Sequence, residues 1–391
     1  MDGVNFLFAS DSFKGSLSSD KINKILCETA EKIFPDSRCK GVFMADGGEG
    51  TVQAVMAETG GELRTVTVKN PLFEDITAAY GCIGKTAAVI EMAAASGLPL
   101  IPQRKRNPLY TTSYGTGQLI ADALDHGIAD ITIALGGSAT NDGGMGAMTA
   151  LGVRFLDKDG IALSGTGENL ERVWDIDLSN MHPGVKNTKF TIMCDVNNPL
   201  TGPDGATLTF GAQKGGDSAA LSRLEAGMTH YAEVLKKCLG SDAAGLPGAG
   251  AAGGLGAAFL AFLNGKLKSG IETVLDLIHF DDLLKKADFV ITGEGRMDWQ
   301  SVCGKVPYGV GMRCRAAGVP AAAIVGGMGT GAEKIYACGV CSVMPITNGP
   351  MGLDEAVERA EELYRDAAER LFRLLKAGMD IQKTKCSFHP H

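Results

Sequence analysis

The sequence predicts an α/β protein: a discontinuous Rossmann-like domain with a doubly wound parallel sheet, into which a second α/β domain is inserted. Three observations lead to this expectation. At 391 residues, the chain is longer than one hydrophobic core usually organises, so two domains are expected. Strand, loop and helix alternate at both ends of the chain, as in parallel α/β sheets. Between those ends the order of elements changes, which favours an insertion.

The amino-terminal segment contains two strand–loop–helix units. Apolar residues 4–9 predict a strand that stops at Asp11-Ser12, and residues 21–34 have the spacing of an amphipathic helix. Residues 41–45 predict a second strand, which stops at an acidic, glycine-rich turn. A helix over residues 51–58 follows, and Thr51 is suited to cap it.

The middle of the chain and its carboxy-terminal third complete the predicted architecture. Gly84-Lys85 predicts a tight hairpin turn. The other elements are predicted from periodicity and turn residues: strands at 63–68, 76–83, 87–93, 131–135, 190–194, 289–292, 321–325 and 342–346, and helices at 116–125, 219–237, 253–264, 280–287, 306–317 and 353–377. We therefore expect a Rossmann-like domain of residues 1–72 plus 272–380, an inserted domain of residues 73–271, and a frayed tail of residues 381–391.

Charge and composition argue against several classes of protein. The net charge of −8 opposes nucleic acid as a partner, because binding to the phosphate backbone needs a basic surface. No apolar run reaches membrane-spanning length, and the acidic start does not resemble a signal peptide. The ten cysteines are scattered, and Cys338-Gly-Val-Cys341 has no second pair to complete a zinc site. We expect a cytoplasmic protein without membrane partners, for which a homodimer is compatible with the sequence.

Two glycine patterns are weak matches to nucleotide-binding loops. Gly248-Ala-Gly-Ala-Ala-Gly253 fits G-x-G-x-x-G, but no predicted strand precedes it and no ribose-binding acid follows in a βαβ unit. A loop leading into a closely packed helix is the preferred interpretation. Gly81-Cys-Ile-Gly-Lys-Thr86 resembles the end of a Walker A loop, yet it lacks the first glycine and lies in a predicted hairpin.

A third glycine-rich segment, Gly136-Gly-Ser-Ala-Thr-Asn-Asp-Gly-Gly-Met-Gly146, is a better candidate for a binding loop. It directly follows the predicted strand at 131–135, and helix-like sequence comes after it. Small residues there allow backbone N–H groups to converge on an anion. The side chains of Ser138, Thr140, Asn141 and Asp142 add groups that can hydrogen-bond phosphate or metal-bound water.

Polar side chains also cluster where other predicted strands end. The loops are Asp11-Ser12-Phe13-Lys14-Gly15-Ser16, Asp46-Gly47-Gly48-Glu49-Gly50-Thr51, Cys194-Asp195-Val196-Asn197-Asn198 and Thr292-Gly293-Glu294-Gly295-Arg296-Met297-Asp298. In open α/β sheets, ligands bind outside those strand ends. One such loop alone is explained as a helix cap. Their recurrence predicts one cleft between the two domains, with the carboxylates and cations that phosphoryl transfer needs.

These segments resemble the type 1 glycerate kinase family, the bacterial glycerate 2-kinases, over essentially the whole chain. The resemblance is carried by Asp11-Ser-Phe-Lys-Gly-Ser16, Met44-Ala-Asp-Gly-Gly-Glu-Gly-Thr51, Thr112-Ser-Tyr-Gly-Thr-Gly117, the segment from Gly136 to Gly146, Cys194-Asp-Val-Asn-Asn-Pro199, Pro247-Gly-Ala-Gly-Ala-Ala-Gly-Gly254 and Thr292-Gly-Glu-Gly-Arg296. It implies a kinase that uses ATP and Mg²⁺ to phosphorylate D-glycerate, with 2-phosphoglycerate the favoured product.

Within the expected cleft, roles are assigned as hypotheses. Asp195 is expected to be the general base, because it ends a buried strand, and Lys14 to neutralise the transferred phosphate. Asp46 and Glu49 are expected to hold Mg²⁺ or substrate hydroxyls. The remaining substrate- and nucleotide-binding candidates are Asp11, Ser12, Ser16, Gly47, Gly48, Ser113, Gly115, Thr116, Gly137, Ser138, Thr140, Asn141, Asp142, Asn197, Glu294, Arg296, Asp298 and Lys305.

Two other functions remain open at the level of sequence. A Rossmann-like dehydrogenase using NAD would require Gly248 to Gly253 to follow a strand and hold a pyrophosphate. A non-catalytic sugar-acid-binding protein would also have two domains around a cleft. The many acidic loops count against it, because a binding protein needs no carboxylates for a metal.

Overall fold

The protein divides into two compact units in a computed structural model that describes residues 3–387. One unit, called here the terminal unit, combines the chain up to Asp46 with the chain from Ile271 onward. The other, the inserted unit, is Gly47–Gly270. The second boundary lies next to the expected one, whereas the first falls at Asp46 and not after residue 72.

The elements are numbered in chain order. The strands are β1 (Asn5–Ser10), β2 (Arg38–Gly41), β3 (Glu62–Lys69), β4 (Asp75–Ile83), β5 (Ala87–Glu91), β6 (Asp130–Ala134), β7 (Arg154–Leu156), β8 (Asp175–Asp177), β9 (Lys189–Met193), β10 (Lys266–Lys268), β11 (Phe289–Met297), β12 (Ala321–Met328) and β13 (Val340–Pro345). The helices are α1 (Ser19–Ile33), α2 (Thr51–Thr59), α3 (Ala93–Ser96), α4 (Tyr114–Asp125), α5 (Met145–Ala150), α6 (Ala206–Phe210), α7 (Ser218–Leu239), α8 (Ala251–Leu263), α9 (Gly270–Leu277), α10 (Phe280–Leu284), α11 (Val306–Ala317), α12 (Leu353–Glu358) and α13 (Ala360–Ser387).

The terminal unit is built on a five-stranded sheet in the order β13-β12-β11-β1-β2, and every pair in it is parallel. Counted within this unit, the order is 2-1-3-4-5, which is a doubly wound arrangement. The predicted fold class is therefore confirmed. In this topology the connections change direction between β1 and β11, and ligands bind at the carboxyl ends of the two strands that flank such a point.

The core of the terminal unit explains why its two halves stay together. Phe6 and Phe8 of β1 pack against α1 and α13, and the Phe6 and Phe372 rings meet edge to face at 5.1 Å. On the other face, Ala323 and Val325 of β12 pack with the segment that precedes β13. A parallel sheet covered on both faces needs such apolar strands, so β1 depends on partners almost three hundred residues away.

The inserted unit contains a six-stranded sheet in the order β10-β9-β6-β5-β4-β3. Strands β10, β9, β6 and β5 are parallel, while β4 and β3 extend the sheet in antiparallel fashion. The predicted hairpin turn is present between β4 and β5, with Gly84 at a φ of 58°. Strand β3 pairs with β4 over its whole length, and α2 packs on β4 and β5. Residues 47–72 therefore belong with the inserted unit.

Several elements end at other residues than expected. Strand β11 continues to Met297, five residues beyond the predicted end at 292, because its last residues stay paired with β12. Strand β2 lies at Arg38–Gly41, earlier than the predicted 41–45. Helix α13 extends through residues 381–387 of the expected tail, and residues 388–391 lie outside the described part of the chain.

Candidate active site

The carboxyl ends of β1 and β11 meet at the point where ligands are expected in the terminal unit. Ser10 pairs with Gly293, and the Asp11 backbone N–H donates to the Gly293 carbonyl over 3.0 Å. A Cβ on Gly293 would lie 2.0 Å from the Ile324 carbonyl oxygen, so only glycine permits this strand spacing. The polar residues that follow both strands are thereby held next to one another.

Asp11 is a half-buried carboxylate among other acids. Burial raises the pKa of Asp11 to about 6, and the Asp46 and Glu294 carboxylates add to the rise. The Ser12 backbone N–H, which donates to Asp11 Oδ1 over 2.7 Å, and the Lys14 ammonium offset part of it. A pKa near neutrality lets this carboxyl exchange a proton in the physiological range.

The predicted loop that carries Lys14 is a short, closed turn with buried ends. Phe13 and Leu17 are both buried, and the Phe13 N–H donates to the Leu17 carbonyl over 2.8 Å. Lys14 and Ser16 are exposed at the tip, where Gly15 has a φ of 80° that favours glycine. The hydrogen bond between Phe13 and Leu17 fixes the backbone of the turn, and the Lys14 side chain extends from it into solvent.

Glu294 lies in β11 itself and not in a loop, which corrects the predicted placement. Its side chain is 5% exposed, and its Oε2 atom is 3.4 Å from Lys305 Nζ. Burial raises the pKa of Glu294, an effect that the Ser301 hydroxyl and the Lys305 ammonium partly offset. Among residues 3–387, its Oε1 atom has no hydrogen-bond partner. An orphaned buried carboxylate oxygen indicates a group that a ligand or water completes.

Arg296 and Asp298 differ in their freedom to bind a ligand. The Arg296 side chain is 76% exposed, with its Nε 3.5 Å from Asp298 Oδ2. Asp298 Oδ1 accepts from the Gln300 N–H over 2.9 Å, so its carboxylate already shapes the turn after β11. Arg296 therefore remains the residue that can reach outward to an anion.

In the inserted unit, two predicted loops lie against each other. A Cβ on Gly136 would lie 3.0 Å from the Gly48 Cα, and one on Gly47 would lie 3.3 Å from the Met193 Cβ at the end of β9. The first glycine loop and the loop after β6 are thus brought together. Beside them, Glu91 at the end of β5 accepts from the Val52 N–H over 2.7 Å, and burial raises its pKa. Glu91 was not among the residues predicted from the sequence, although an acidic residue at the end of a predicted strand could have marked it as a site candidate.

The segment from Gly136 to Gly146 has an exposed part and a buried part. Gly136 and Gly137 are exposed and Ser138 is half-buried, whereas residues 139–148 are buried. Asp142 is fully buried and accepts from the Ser113 N–H and Oγ over 2.7 and 2.8 Å, and from the N–H of Gly144 and Gly146. Burial raises its pKa, and these donors lower it. Asp142 therefore ties the loop to the start of α4.

Lys214 is a buried cation that sequence analysis missed. It is 2% exposed, and its Nζ donates to the Thr140 carbonyl over 2.7 Å. Burial lowers its pKa to about 8, and the Asp142 carboxylate counteracts the shift. Thr140 Oγ1 and Asn141 Oδ1, also fully buried, have no hydrogen-bond partner within residues 3–387. No local pattern marks a lysine in a short helical turn as buried, so only the structure identifies it.

The segment Gly248 to Gly253, the weak match to G-x-G-x-x-G, packs against the loop that contains Thr140. It follows a short 3₁₀ turn and not a strand, which agrees with its rejection as a dinucleotide site. Ala252, Gly253 and Gly254 are all left-handed, and a Cβ on Gly253 would lie 2.0 Å from the Thr140 carbonyl oxygen. The preferred interpretation, a closely packed loop before α8, describes its geometry.

Asp195 and Asn197 follow β9 and are both exposed. Asp195 Oδ1 accepts from the Gly270 N–H over 2.9 Å, at the first residue of α9. Asp195, the predicted general base, thus follows the carboxyl end of a parallel strand, and the first backbone N–H of α9 fixes its carboxylate. Such a position suits a carboxylate that contacts a substrate.

Gly115 and Thr116, two further predicted residues, contribute mainly to packing. A Cβ on Gly115 would lie 1.9 Å from the Lys69 carbonyl oxygen, and Thr116 Oγ1 is 2.7 Å from Ser96 Oγ in a buried pair. By exposure, the candidates fall into three groups: exposed Lys14, Ser16, Glu49, Gly137, Asp195, Asn197 and Arg296; half-buried Asp11, Ser12, Asp46, Gly48, Ser138, Asp298 and Lys305; and buried Gly47, Ser113, Gly115, Thr116, Thr140, Asn141, Asp142 and Glu294.

The part of the chain that the structure describes contains no group of three or more His, Cys, Asp and Glu side chains placed to hold a metal ion. Mg²⁺ needs only one or two carboxylates when phosphates and water supply its other ligands. Asp46 and Glu49, which are half-buried and exposed, are chemically suited to that smaller role. Within residues 3–387, no helix is long and apolar enough to cross a membrane.

Several known proteins with similar sequences, and one with a similar structure, are named as glycerate kinases. The chain is 43% identical over 366 residues to a glycerate kinase of Halalkalibacterium halodurans, covering 93% of this chain and 96% of that protein. It is 42% identical over 377 residues to the glycerate 2-kinase of Escherichia coli, with coverages of 96% and 99%. A crystal structure assigned as glycerate kinase 2 from Salmonella typhimurium superposes with a TM-score of 0.86 at 40% identity, covering 97% of this chain and all of that one.

The match to the family extends over both units, because residues 6–376 fit its pattern. Together with identities above 40% over nearly the full length of curated relatives, this confirms the resemblance that the glycine and aspartate loops predicted. The chain belongs to the glycerate kinase family.

Proposed function

We propose that this protein transfers the γ-phosphoryl group of ATP to a hydroxyl of D-glycerate. The observation that carries the proposal is the set of Asp11, Glu294 and Arg296 where β1 and β11 end, in a chain of the glycerate kinase family. Phosphoryl transfer depends on positioning and on neutralising charge, and this edge offers carboxylates and cations together. By analogy with the Escherichia coli relative, the product is 2-phosphoglycerate.

In this proposal, exposed side chains contact the substrates and buried ones hold the loops in place. Lys14 neutralises the transferred phosphate from the tip of its turn. Asp195 accepts the proton of the reacting hydroxyl, while Asp11, with its pKa near 6, is the second candidate for that role. Asp142 acts indirectly, because its hydrogen bonds to Ser113, Gly144 and Gly146 hold the backbone that follows residues 136–138 against the start of α4.

Mg²⁺ would be held by Asp46 and Glu49, and when bound it would neutralise charge on the phosphates of ATP. The backbone at Gly47, Gly48 and Gly137 has no side chains, which supports close approach of an anion there. That both units contribute to one cleft, that the enzyme is cytoplasmic and that it forms a homodimer remain predictions.

The test of the proposed function is a coupled assay with D-glycerate, ATP and Mg²⁺. We expect ADP to form only when all three are present, and NMR of the product to show phosphate on the 2-hydroxyl. ATP consumption that is independent of glycerate, or none with any hydroxy acid, would overturn the proposal.

The general base is tested by Asp195→Asn and Asp11→Asn in parallel. If Asp195 is the base, its variant loses at least about 100-fold in kcat, as expected for removing a positioned proton acceptor. Asp204→Asn, at an exposed carboxylate of the same unit, is the matched control. Near-wild-type kcat in a folded Asp195→Asn protein would transfer the role to Asp11.

A further inference from the structure

A glycine-rich turn follows β12 and lies against the chain that leaves β11. The two strands end side by side, and residues 329–331 form the turn. The Gly329 N–H donates to the Met297 carbonyl over 2.7 Å, and the Trp299 N–H donates to the Thr330 carbonyl over 3.1 Å. The turn and the segment after β11 are therefore fixed to each other at the carboxyl edge of the terminal sheet.

Trp299 and Arg296 both lie along this turn. A Cβ on Gly331 would be 2.9 Å from the Trp299 Cβ, and a Cβ on Gly329 would be 3.4 Å from Arg296 Nη2. The two glycines are separated by two residue steps, at most about 7 Å. The Trp299 side chain and the Arg296 guanidinium therefore lie beside neighbouring residues of the same turn. Gly329 and Gly331 have no side chains that could cover either group.

Trp299 is exposed without a stacking partner. Its exposed fraction is 55%, and the Arg296 side chain is 76% exposed. The other tryptophan, Trp174, is 57% exposed, but Lys237 Nζ lies 4.8 Å from the centre of its ring. Within residues 3–387, no ring or cation lies over Trp299. The exposed indole and the exposed guanidinium can therefore offer a ring face and a cation to one ligand.

We infer that Trp299 is the stacking platform for the adenine base of ATP, and that Arg296 contacts the phosphate side of the same nucleotide. Any base offers a flat face for stacking on an aromatic ring, and a guanidinium is the preferred partner of phosphate oxygens. The inference rests on the proposed function and assigns the nucleotide to the carboxyl edge of β11 and β12.

The arrangement favours a nucleotide over a protein partner. A protein interface of ordinary stability buries about 800 Å² on each side, far more than one indole and one guanidinium offer. The charge of Arg296 matches a phosphate. Of the candidate site, Glu294 lies on the same strand as Arg296, and Lys305 directly precedes α11. The competing possibility is that a second copy of the chain covers Trp299, and the test must distinguish that copy from a nucleotide.

The first test uses tryptophan fluorescence, because the chain has only two tryptophans. In a Trp174→Phe background, Trp299 is the sole tryptophan, so the indole emission reports on it alone. We expect ATP, ADP and adenosine each to change its emission with saturation, and inorganic tripolyphosphate to leave it unchanged. Saturation by ATP without any change in Trp299 emission, with binding confirmed by calorimetry, would overturn the inference.

The second test compares Trp299→Ala, Trp299→Phe and the matched control Trp174→Ala. We expect Trp299→Ala to weaken ATP and adenosine binding about 10-fold, the ratio that corresponds to about 1.4 kcal/mol of base stacking. Trp299→Phe should stay within about 3-fold of the parent. The KM for glycerate and the affinity for tripolyphosphate should not change, and Trp174→Ala should match the parent throughout.

The outcomes separate the inference from the proposed function. An active glycerate kinase whose ATP affinity survives Trp299→Ala would overturn the stacking role and leave the function intact. A protein that binds adenosine through Trp299 but does not phosphorylate glycerate would sink the function and support the inference. Loss of a dimer in Trp299→Ala, seen by sedimentation with unchanged ATP affinity, would assign the surface to a second copy and overturn the inference.

Discussion

Replacing Asp11 by Asn should stabilise the protein at neutral pH while it impairs catalysis. Burial raises the pKa of Asp11 from its ordinary value of 3.8 to about 6 in the folded protein. Because the folded pKa is the higher one, the folded state binds the proton more tightly, and the ionised carboxylate is the unfavourable form. The contribution of Asp11 to stability is therefore greatest at low pH, and it falls as the pH rises from about 4 to about 6.

The magnitude follows from the size of the shift. A difference of roughly two pKa units corresponds to about 3 kcal/mol above pH 6, at 1.36 kcal/mol per unit. Asn keeps an oxygen for the Ser12 N–H and carries no charge, so Asp11→Asn should raise the free energy of unfolding by up to about 3 kcal/mol at pH 8. At pH 5 the gain should be about half of that.

Urea denaturation of both proteins at pH 8 and pH 5 measures this difference directly. Titrating groups that do not interact with Asp11 cancel, because wild type and variant are compared at the same pH. Asp36→Asn, which removes an exposed carboxylate of the same unit, controls for the change in net charge. A variant that is less stable than wild type at pH 8, or a gain that is equal at both pH values, would refute the reasoning about burial and charge around Asp11.

Three further perturbations follow from the site. Lys14→Ala should lower kcat/KM for ATP about 100-fold with an unchanged thermal midpoint, because its side chain is exposed, and Lys24→Ala should change neither. Lys214→Met should cost about 1–3 kcal/mol in urea denaturation at pH 7, because it leaves the buried Thr140 carbonyl without the donor that lies 2.7 Å away. Gly253→Ala should lower stability and activity well beyond Gly240→Ala, because both positions have positive φ but only Gly253 has backbone at 2.0 Å from a new Cβ.

The outcomes that contradict these expectations are distinct. Equal losses in the Lys14 and Lys24 variants would remove Lys14 from the site. A Lys214→Met protein as stable as wild type would show that the Thr140 carbonyl does not depend on the Lys214 ammonium. Similar costs at Gly253 and Gly240 would mean that positive φ alone, and not the close approach to the Thr140 carbonyl, explains the glycine.

Local signals were sufficient for the type and order of most strands and helices, and they supplied the candidate site residues. Apolar runs that stop at Asp11 or at Gly136 mark a strand followed by a polar turn, and both features depend only on neighbouring residues. The family resemblance rested on the same segments. What these signals lack is any measure of pairing between distant strands, which is why the boundary after residue 72 differs from the observed one at Asp46.

The errors at the site have the same origin. Glycines at 293 and 295 suggested a loop, yet both continue β11, which stays paired with β12. At Gly293 the close approach of the Ile324 carbonyl oxygen requires glycine. Polarity suggested that Asp142 faces a ligand, although the structure buries it under four donors: the backbone N–H groups of Gly144 and Gly146, and the N–H and hydroxyl of Ser113. Burial of Lys214 depends on the packing of the whole inserted unit, and a sequence pattern of a few residues carries no information about that.

The division of the terminal unit has a consequence for biosynthesis. Strand β1 can pair only with β2 until β11 exists, and β11 begins at Phe289. At about 5–20 residues per second, the ribosome needs roughly 15 to 55 s to supply it. During this interval Phe6 and Phe8 lack their partners on α13, whereas the contiguous Gly47–Gly270 segment can already fold. The nascent amino terminus is thus the segment most exposed to chaperones and to aggregation, and slowing translation after residue 46 should prolong that exposure.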